Sequence, residues 1–286
     1  MTQWGGAAGK RVVLTGATNG IGLAAAIELG RRGADLTLVA RNPSRAAEAV
    51  RRISAVSKGS IPDVMLADLA SQSSIRQVAA ELLARYPRIQ VLVNNAGAIY
   101  ARRQMTADGV ELTWAVNHLA PFLLTNLLLD RMKTSRPARI VTTSSGAHEG
   151  ARIPFDDLNA QRSWGGAGFT RYGETKLANI LFTAELARRL EGTGVTANAF
   201  HPGFVATGFN RNNGVLMRLG MAISRPFARR PQKGAETLVW LVDSEEASDL
   251  NGAYVFARRP VAPSSAAQDV EAARRLWQVS EEQMRA

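Results

Sequence analysis

Thr15-Gly16-Ala17-Thr18-Asn19-Gly20-Ile21-Gly22 stands directly after the β-branched run Arg11–Thr15 and heads a helical pattern, Ile21–Arg32. Glycines between a strand and a helix permit a tight turn and let the backbone approach a pyrophosphate. The free N–H groups and positive end of the helix then meet its charge. The first gap holds three residues where the common dinucleotide loop has one. Gly16, Thr18, Asn19, Gly20, Ile21 and Gly22 are the expected contacts of such a loop, although a plain strand-to-helix turn can also be rich in glycine.

The next β-branched run, Asp35–Ala40, ends Leu38-Val39-Ala40-Arg41-Asn42. An NAD site of this type places Asp or Glu at that strand end, about 20 residues beyond the loop, to hold the ribose 2′-hydroxyl. Asp35 lies at the opposite end, and the carboxylate is missing where it would matter. Arg41 follows at once, and a guanidinium suits bidentate contact with a 2′-phosphate. NADP(H) is the expected cofactor, ahead of NAD(H).

The alternation continues. Further β-branched runs are Asp63–Leu66, Val91–Asn94, Arg139–Thr143, Val195–Phe200 and Ala253–Phe256. Helical patterns fill Ala46–Ser57, Ser71–Arg85, Gly109–Lys133 and Gly173–Leu190. Val12-Val13-Leu14 and Val91-Leu92-Val93 are apolar on both faces, as strands buried under helices on each side should be. The pattern gives an α/β class: a single-domain Rossmann fold over residues 1–286, with a seven-stranded parallel doubly wound sheet. Two stretches break the rhythm after strand ends, where such sheets bind ligands. Ala147–Thr170 is irregular and rich in glycine; Gly208–Gly234 sets Met217, Met221 and Phe227 among basic residues and is expected to be a substrate lid. After Arg258 a turn with two prolines leads to a short helix through Trp277, packed on the surface or on a neighbouring subunit of a homo-oligomer.

With 46% hydrophobic and 21% charged residues, the chain reads as an ordinary globular protein. No uninterrupted apolar stretch approaches the roughly 20 residues that span a bilayer, and MTQWGGAAGK lacks the apolar region of a signal peptide. No membrane and a cytoplasmic location are expected. Cysteine is absent, which excludes disulfides, thiol catalysis and thiolate metal sites. The net charge of +11 comes from scattered pairs such as Arg31-Arg32, Arg51-Arg52 and Arg188-Arg189, without interleaved aromatics. That reads as a solvated basic surface that could attract an anionic cofactor or substrate, not as a nucleic-acid site. His118, His148 and His201 are widely separated, so no metal is expected and each reads as a structural imidazole near a strand end, with a place for His148 or His201 in the substrate pocket left open.

Residues 10 to about 207 resemble the short-chain dehydrogenase/reductase family, motif by motif and in order. Thr15–Gly22 is similar to its TGxxxGIG loop. Asp68-Leu69 matches the position that contacts adenine, and Asn94-Asn95-Ala96-Gly97 the NNAG segment that lines the cofactor, with Asn94 and Gly97 as its contacts. Asn117 matches the Asn of the catalytic tetrad, Ser144-Ser145 the serine pair whose second member acts, and Tyr172-Gly-Glu-Thr-Lys176 the YxxxK motif. Pro202, Gly203, Val205 and Thr207 match the PGxVxT segment beside nicotinamide. The resemblance implies that Lys176 also holds the nicotinamide ribose, that Ser145 hydrogen-bonds the substrate oxygen, and that Asn117 positions a water.

Hydride transfer to a ketone builds negative charge on its oxygen, so a proton donor must stand beside it. A free tyrosine has a pKa of about 10, high for that task at neutral pH. Lys176 lies one helical turn beyond Tyr172, on the same face, and its ammonium is expected to favour the phenolate. The long spacing from Ser144 to Tyr172 resembles the branch holding retinol dehydrogenases and the WW-domain oxidoreductase. Bacterial ketoreductases that tailor aromatic polyketides for antibiotics, of the daunorubicin C-13 kind, are a further resemblance. The expected substrate is a bulky, partly aromatic ketone or aldehyde. A dehydrogenase using NAD(H), and a cofactor-binding regulatory protein without turnover, stay open as alternatives.

Overall fold

Val12, Val13 and Leu14 are fully buried, and a strand apolar on both faces needs helices on each side. The computed structural model, which describes residues 4–162, 164–205 and 229–285, supplies both layers. Strands β1 (Arg11–Thr15), β2 (Asp35–Ala40), β3 (Asp63–Leu66), β4 (Val91–Asn94), β5 (Ala138–Thr143), β6 (Val195–Phe200) and β7 (Tyr254–Phe256) run parallel, in the spatial order 3-2-1-4-5-6-7. Val12 sits opposite Leu36 on one side and Val91 on the other. Helices α1 (Gly20–Arg31), α2 (Pro43–Ser54) and α7 (Pro231–Asp243) cover one face, meeting Val12 and Leu14. Helices α3 (Gln72–Arg85), α5 (Ala120–Thr134), α6 (Phe169–Arg189) and α8 (Val270–Arg285) cover the other, meeting Val13. The sheet order reverses between β1 and β4, and a crevice opens at their carboxyl ends.

Among the described residues the sheet has the seven parallel strands expected and one more. A two-residue strand, β8 (Arg259–Pro260), pairs antiparallel with β7. Its turn residues, Ala257 and Arg258, have φ of 48° and 63°. Gly, Asn or Asp normally signals such a turn, and neither residue here does.

The predicted helix Gly109–Lys133 is interrupted. A short α4 (Leu112–Trp114) passes through a π turn, Ala115–Leu119, into α5. By length and composition Leu112–Thr134 could cross a membrane, yet 78% of its apolar window is buried inside the protein. That segment is the floor of the second core, the one packed on the Val13 face of the sheet. Helix α8 closes this core: Trp277 packs on Phe122 and Phe182 with ring centroids 5.0 and 5.9 Å away. Trp114 Nε1 donates to Gln283 Oε1 at 3.0 Å. The tail therefore docks on its own domain.

The basic pairs have a local cause. Arg31, Arg51, Arg52, Arg188 and Arg189 fill last helical turns, where cations meet the negative end of the helix. Residues 208–228 of the expected lid lie outside the described residues. At the end of that stretch Pro231 opens α7, and a side chain on Gly234 would press on Val205 and Ile21.

Candidate active site

At the switch point, loop and strand are bound to each other atom by atom. Gly16 has φ +71°, and a Cβ there would lie 2.7 Å from Ala96 Cα. A Cβ on Gly22 would lie 2.3 Å from Gly16 O, so only glycine lets the helix start this close to the loop. Thr15 Oγ1 donates to Val93 O at 3.2 Å and accepts from the N–H groups of Asn95 and Ala96, each at 3.0 Å. Asn95 Nδ2 donates to Thr15 O and Gly16 O at 3.1 and 3.2 Å. The cradle is preformed.

A cleft of about 600 Å³ runs from this loop across the sheet ends. It gathers every phosphate-loop residue expected from the sequence, with Arg41, Asp68, Leu69, Gly97, Ser145, Tyr172, Lys176, Pro202, Gly203 and Val205. Thr207 lies outside the described residues. Two expected residues do not line the cleft. Asn94, the last residue of β4, turns into the core and donates to Thr125 Oγ1 at 2.9 Å. Its neighbour Asn95 faces the loop, because successive side chains on a strand point to opposite faces. Asn117 lies fully buried within the π turn. Its Oδ1 accepts from Ala98 N–H at 2.8 Å, and its Nδ2 donates to Ala98 O at 2.8 Å and Thr175 Oγ1 at 3.1 Å. Oδ1 and one amide hydrogen thus hold the backbone at Ala98, and the other amide hydrogen is committed to Thr175 on α6.

At one end of the cleft, Arg41 is joined by Arg45 and Asn42, which the sequence reading missed. Asn42 caps α2, accepting from Arg45 N–H at 2.9 Å, and so sets Arg45 one turn beyond Arg41. Arg41 also approaches Asp68, at 4.0 Å, with both side chains largely in solvent. Tyr100, Phe169 and Phe204 add an aromatic rim to the cleft, the last two 52% and 53% exposed. His201 also lines it, stacked 4.1 Å from Phe256. His118 is buried beside Ser280, and burial pushes its imidazole down to about 3. Among the described residues no group of ligands suits a metal.

The irregular stretch after β5 is a packed wall. Ile153, Phe155 and Leu158 rest on the second core. Arg171, beside Tyr172, is buried and pairs with Glu111 at 2.8 Å and Glu174 at 2.9 Å, and also donates to Leu158 O. Asn159 Oδ1 accepts from Glu111 N–H at 3.0 Å. This cluster ties the wall to the start of α6 and to the helix turn leading to Asn117.

The profile of the short chain dehydrogenase family matches residues 10–156. Human retinol dehydrogenase 13 is 41% identical over 276 residues, covering 94% of this chain and 82% of its own. The chain belongs to the short-chain dehydrogenase/reductase family. Within it, this chain sits in the retinol dehydrogenase-like branch. An uncharacterised protein of Mycobacterium paratuberculosis superposes with a TM-score of 0.78 at 32% identity, over 99% of this chain and 96% of that one. A short chain dehydrogenase from Burkholderia cenocepacia, solved in complex with NADP, gives 0.70 at 26% identity over 87% and 96%.

In this short-chain dehydrogenase the serine pair divides its tasks. Ser144 Oγ donates to Lys176 O at 2.8 Å and is buried, whereas Ser145 reaches the cleft and hydrogen-bonds Tyr172. Lys176 Nζ donates to Thr143 O at 3.1 Å and lies 5.3 Å from the Tyr172 ring centroid. Burial pushes the Lys176 ammonium down to about 8. Burial pushes the Tyr172 phenol up to about 12, and the bond from Ser145 opposes it. The expected lowering by Lys176 does not decide the balance in this geometry; desolvation does. Alcohol oxidation needs the pair to take up a proton, so its rate should rise with pH through one coupled titration, nearer the value of Lys176 than that of Tyr172. Lys176→Arg, charged at every working pH, should displace that limb upward in kcat–pH profiles. An unmoved limb would assign it to another group.

Proposed function

We propose that this chain is an NADP(H)-dependent oxidoreductase that interconverts a ketone or aldehyde with an alcohol on a bulky, largely apolar small molecule. The observation that carries the cofactor choice is the end of β2. Arg41 and Arg45 line the cleft there, and no carboxylate follows the strand. The Burkholderia relative was solved with NADP, which supports the same reading. Gly16 and Gly22 let the loop pack tightly on Asn95, Ala96 and the first turn of α1, and the same loop lines the cleft where a pyrophosphate would meet the helix N-terminus.

A bound nicotinamide supplies a hydride in reduction and accepts one in oxidation. The chain's own residues handle the oxygen. The Ser145 hydroxyl donates a hydrogen bond to it, and Tyr172 gives its proton as the carbonyl carbon is reduced, or takes one in reverse. Lys176, anchored on Thr143 O, stands where the family resemblance puts a ribose contact. The aromatic rim of Tyr100, Phe169 and Phe204 supports an apolar substrate. The names of the relatives make retinaldehyde one probe, and the rim makes polycyclic aromatic ketones another.

Arg41→Ala should weaken NADPH by about 1–2 kcal/mol, roughly 5- to 30-fold, because an exposed charge-assisted contact is worth less than a buried one. NADH affinity should barely change. Fluorescence titration with both cofactors measures this; equal losses would mean that Arg41 shapes the loop without reading the phosphate. A chain that binds NADPH yet turns over neither probe class would favour the regulatory reading.

A further inference from the structure

His148 is buried against the turn that presents Ser145, and three contacts fix its ring. The backbone N–H of Ser264 donates to Nε2 at 3.1 Å. A peptide N–H can only donate, so Nε2 carries the lone pair and the ring proton resides on Nδ1. Nδ1–H then donates to Ser145 O at 2.8 Å, and the same carbonyl accepts from the His148 backbone N–H at 3.2 Å. Tyr254 closes the third side, its hydroxyl 3.4 Å from Nδ1 and its ring set edge-on. Ser145 Oγ accepts from Ala147 N–H at 3.2 Å. Its own proton is thereby left for the phenol, or for a substrate oxygen that takes its place. The Ser145 peptide thus sets where its hydroxyl points.

The other two histidines are held the opposite way. Gly203 N–H donates to His201 Nδ1 at 3.2 Å, which puts that ring's proton on Nε2. Ser280 Oγ spends its proton on Leu276 O at 2.7 Å, so it accepts from Nε2–H of His118. His148 is the exception among the three.

We propose that His148 is a positioning residue: as its Nδ1–H tautomer it clamps the Ser145 carbonyl to the strap between β8 and α8, and so aims the Ser145 hydroxyl at the reacting oxygen. Its kinetic part rests on the reaction proposed above; its structural part does not.

Ring nitrogen spectra of the 15N-histidine-labelled full chain, with NADPH bound at mildly alkaline pH, read the clamp directly. One ring in the Nδ1–H form is expected, and it should vanish in His148→Gln. Three Nε2–H rings would overturn the proposal. Kinetics read its consequence. An Asn amide can reach the position of Nδ1 and still serve Ser145 O, whereas a Gln amide reaches only the position of Nε2 and serves Ser264. His148→Asn should keep kcat within about threefold, while His148→Gln should lose about 10- to 100-fold, as small misplacements of reacting groups do. KM for the cofactor should stay level in both. Equal losses, or none in either, would overturn the proposal. Ser264 has φ −57°, which a proline accepts, so Ser264→Pro removes the N–H, along with a buried hydroxyl that makes no hydrogen bond to the described residues, and covers the case where a His148 variant does not fold. It should mix the two ring forms and lower kcat by about 3- to 10-fold; an unchanged spectrum would sink the clamp. If the wild type reduced no carbonyl, the proposed reaction would fall while the spectrum still decided the tautomer.

Discussion

Tyr172→Phe should leave the fold and NADP(H) binding intact while turnover falls by about 10²–10⁴-fold, the usual cost of losing a positioned general acid. The substitution removes one oxygen and keeps the ring that stands 5.3 Å from Lys176 Nζ. Ser145 loses a partner it can replace with water, since it reaches the open cleft. Lys176→Ala should do double harm. It removes the cation beside Tyr172, and it also removes the donor to Thr143 O from a buried position against Gly97. NADPH binding should therefore weaken in Lys176→Ala and hold in Tyr172→Phe. Steady-state turnover with cofactor titration separates the two. Near-normal turnover in Tyr172→Phe, with any ketone the wild type reduces, would overturn the mechanism and leave the cofactor-binding fold.

Arg171→Met should cost about 3–5 kcal/mol of stability, as when one partner of a buried ion pair is removed. Glu111 has no exposure, and its carboxylate takes four donors. Oε1 accepts from Thr113 N–H at 2.8 Å and Thr113 Oγ1 at 2.9 Å; Oε2 accepts from Trp114 N–H at 2.9 Å and Arg171 Nε at 2.8 Å. Without Arg171 its charge is buried with no cation. Adding Glu111→Gln to Arg171→Met should restore part of the loss, because it removes that charge. Urea unfolding of the three variants measures it; a loss under about 1 kcal/mol in Arg171→Met would mean that water reaches the cluster.

Much of the frame is legible in the sequence because its parallel strands are written as short apolar or β-branched runs between helical patterns. Arg11–Thr15, Asp35–Ala40, Asp63–Leu66, Val91–Asn94 and Val195–Phe200 have the same bounds in the structure. The phosphate loop and the Tyr172–Lys176 helix are legible for a similar reason, since spacing along one element fixes which residues share a face. Pairings between distant elements leave no such trace. Glu111 and Arg171 are 60 positions apart, and each alone reads as a solvated charge. Asn94 and Asn95 look equivalent in sequence, and only the pleat at the end of β4 decides which one meets the loop. The turn Ala257-Arg258 adopts the left-handed region without a residue that prefers it. His148 reads as a structural imidazole; its proton is placed by a backbone N–H 116 residues away.

The docking of α8 has a consequence for how the protein is born. Synthesis runs from the amino end, so the helix that seals the second core leaves the ribosome after every element it covers. Tyr172 and Lys176 emerge well before it, yet Phe122 and Phe182 have no Trp277 to cover them, and His118 and Trp114 have neither Ser280 nor Gln283. A nascent chain thus carries an apolar face beside its catalytic helix until α8 has emerged. Emergence of α8 is thereby coupled to concealment of that face, which is open to other apolar surfaces in the interval.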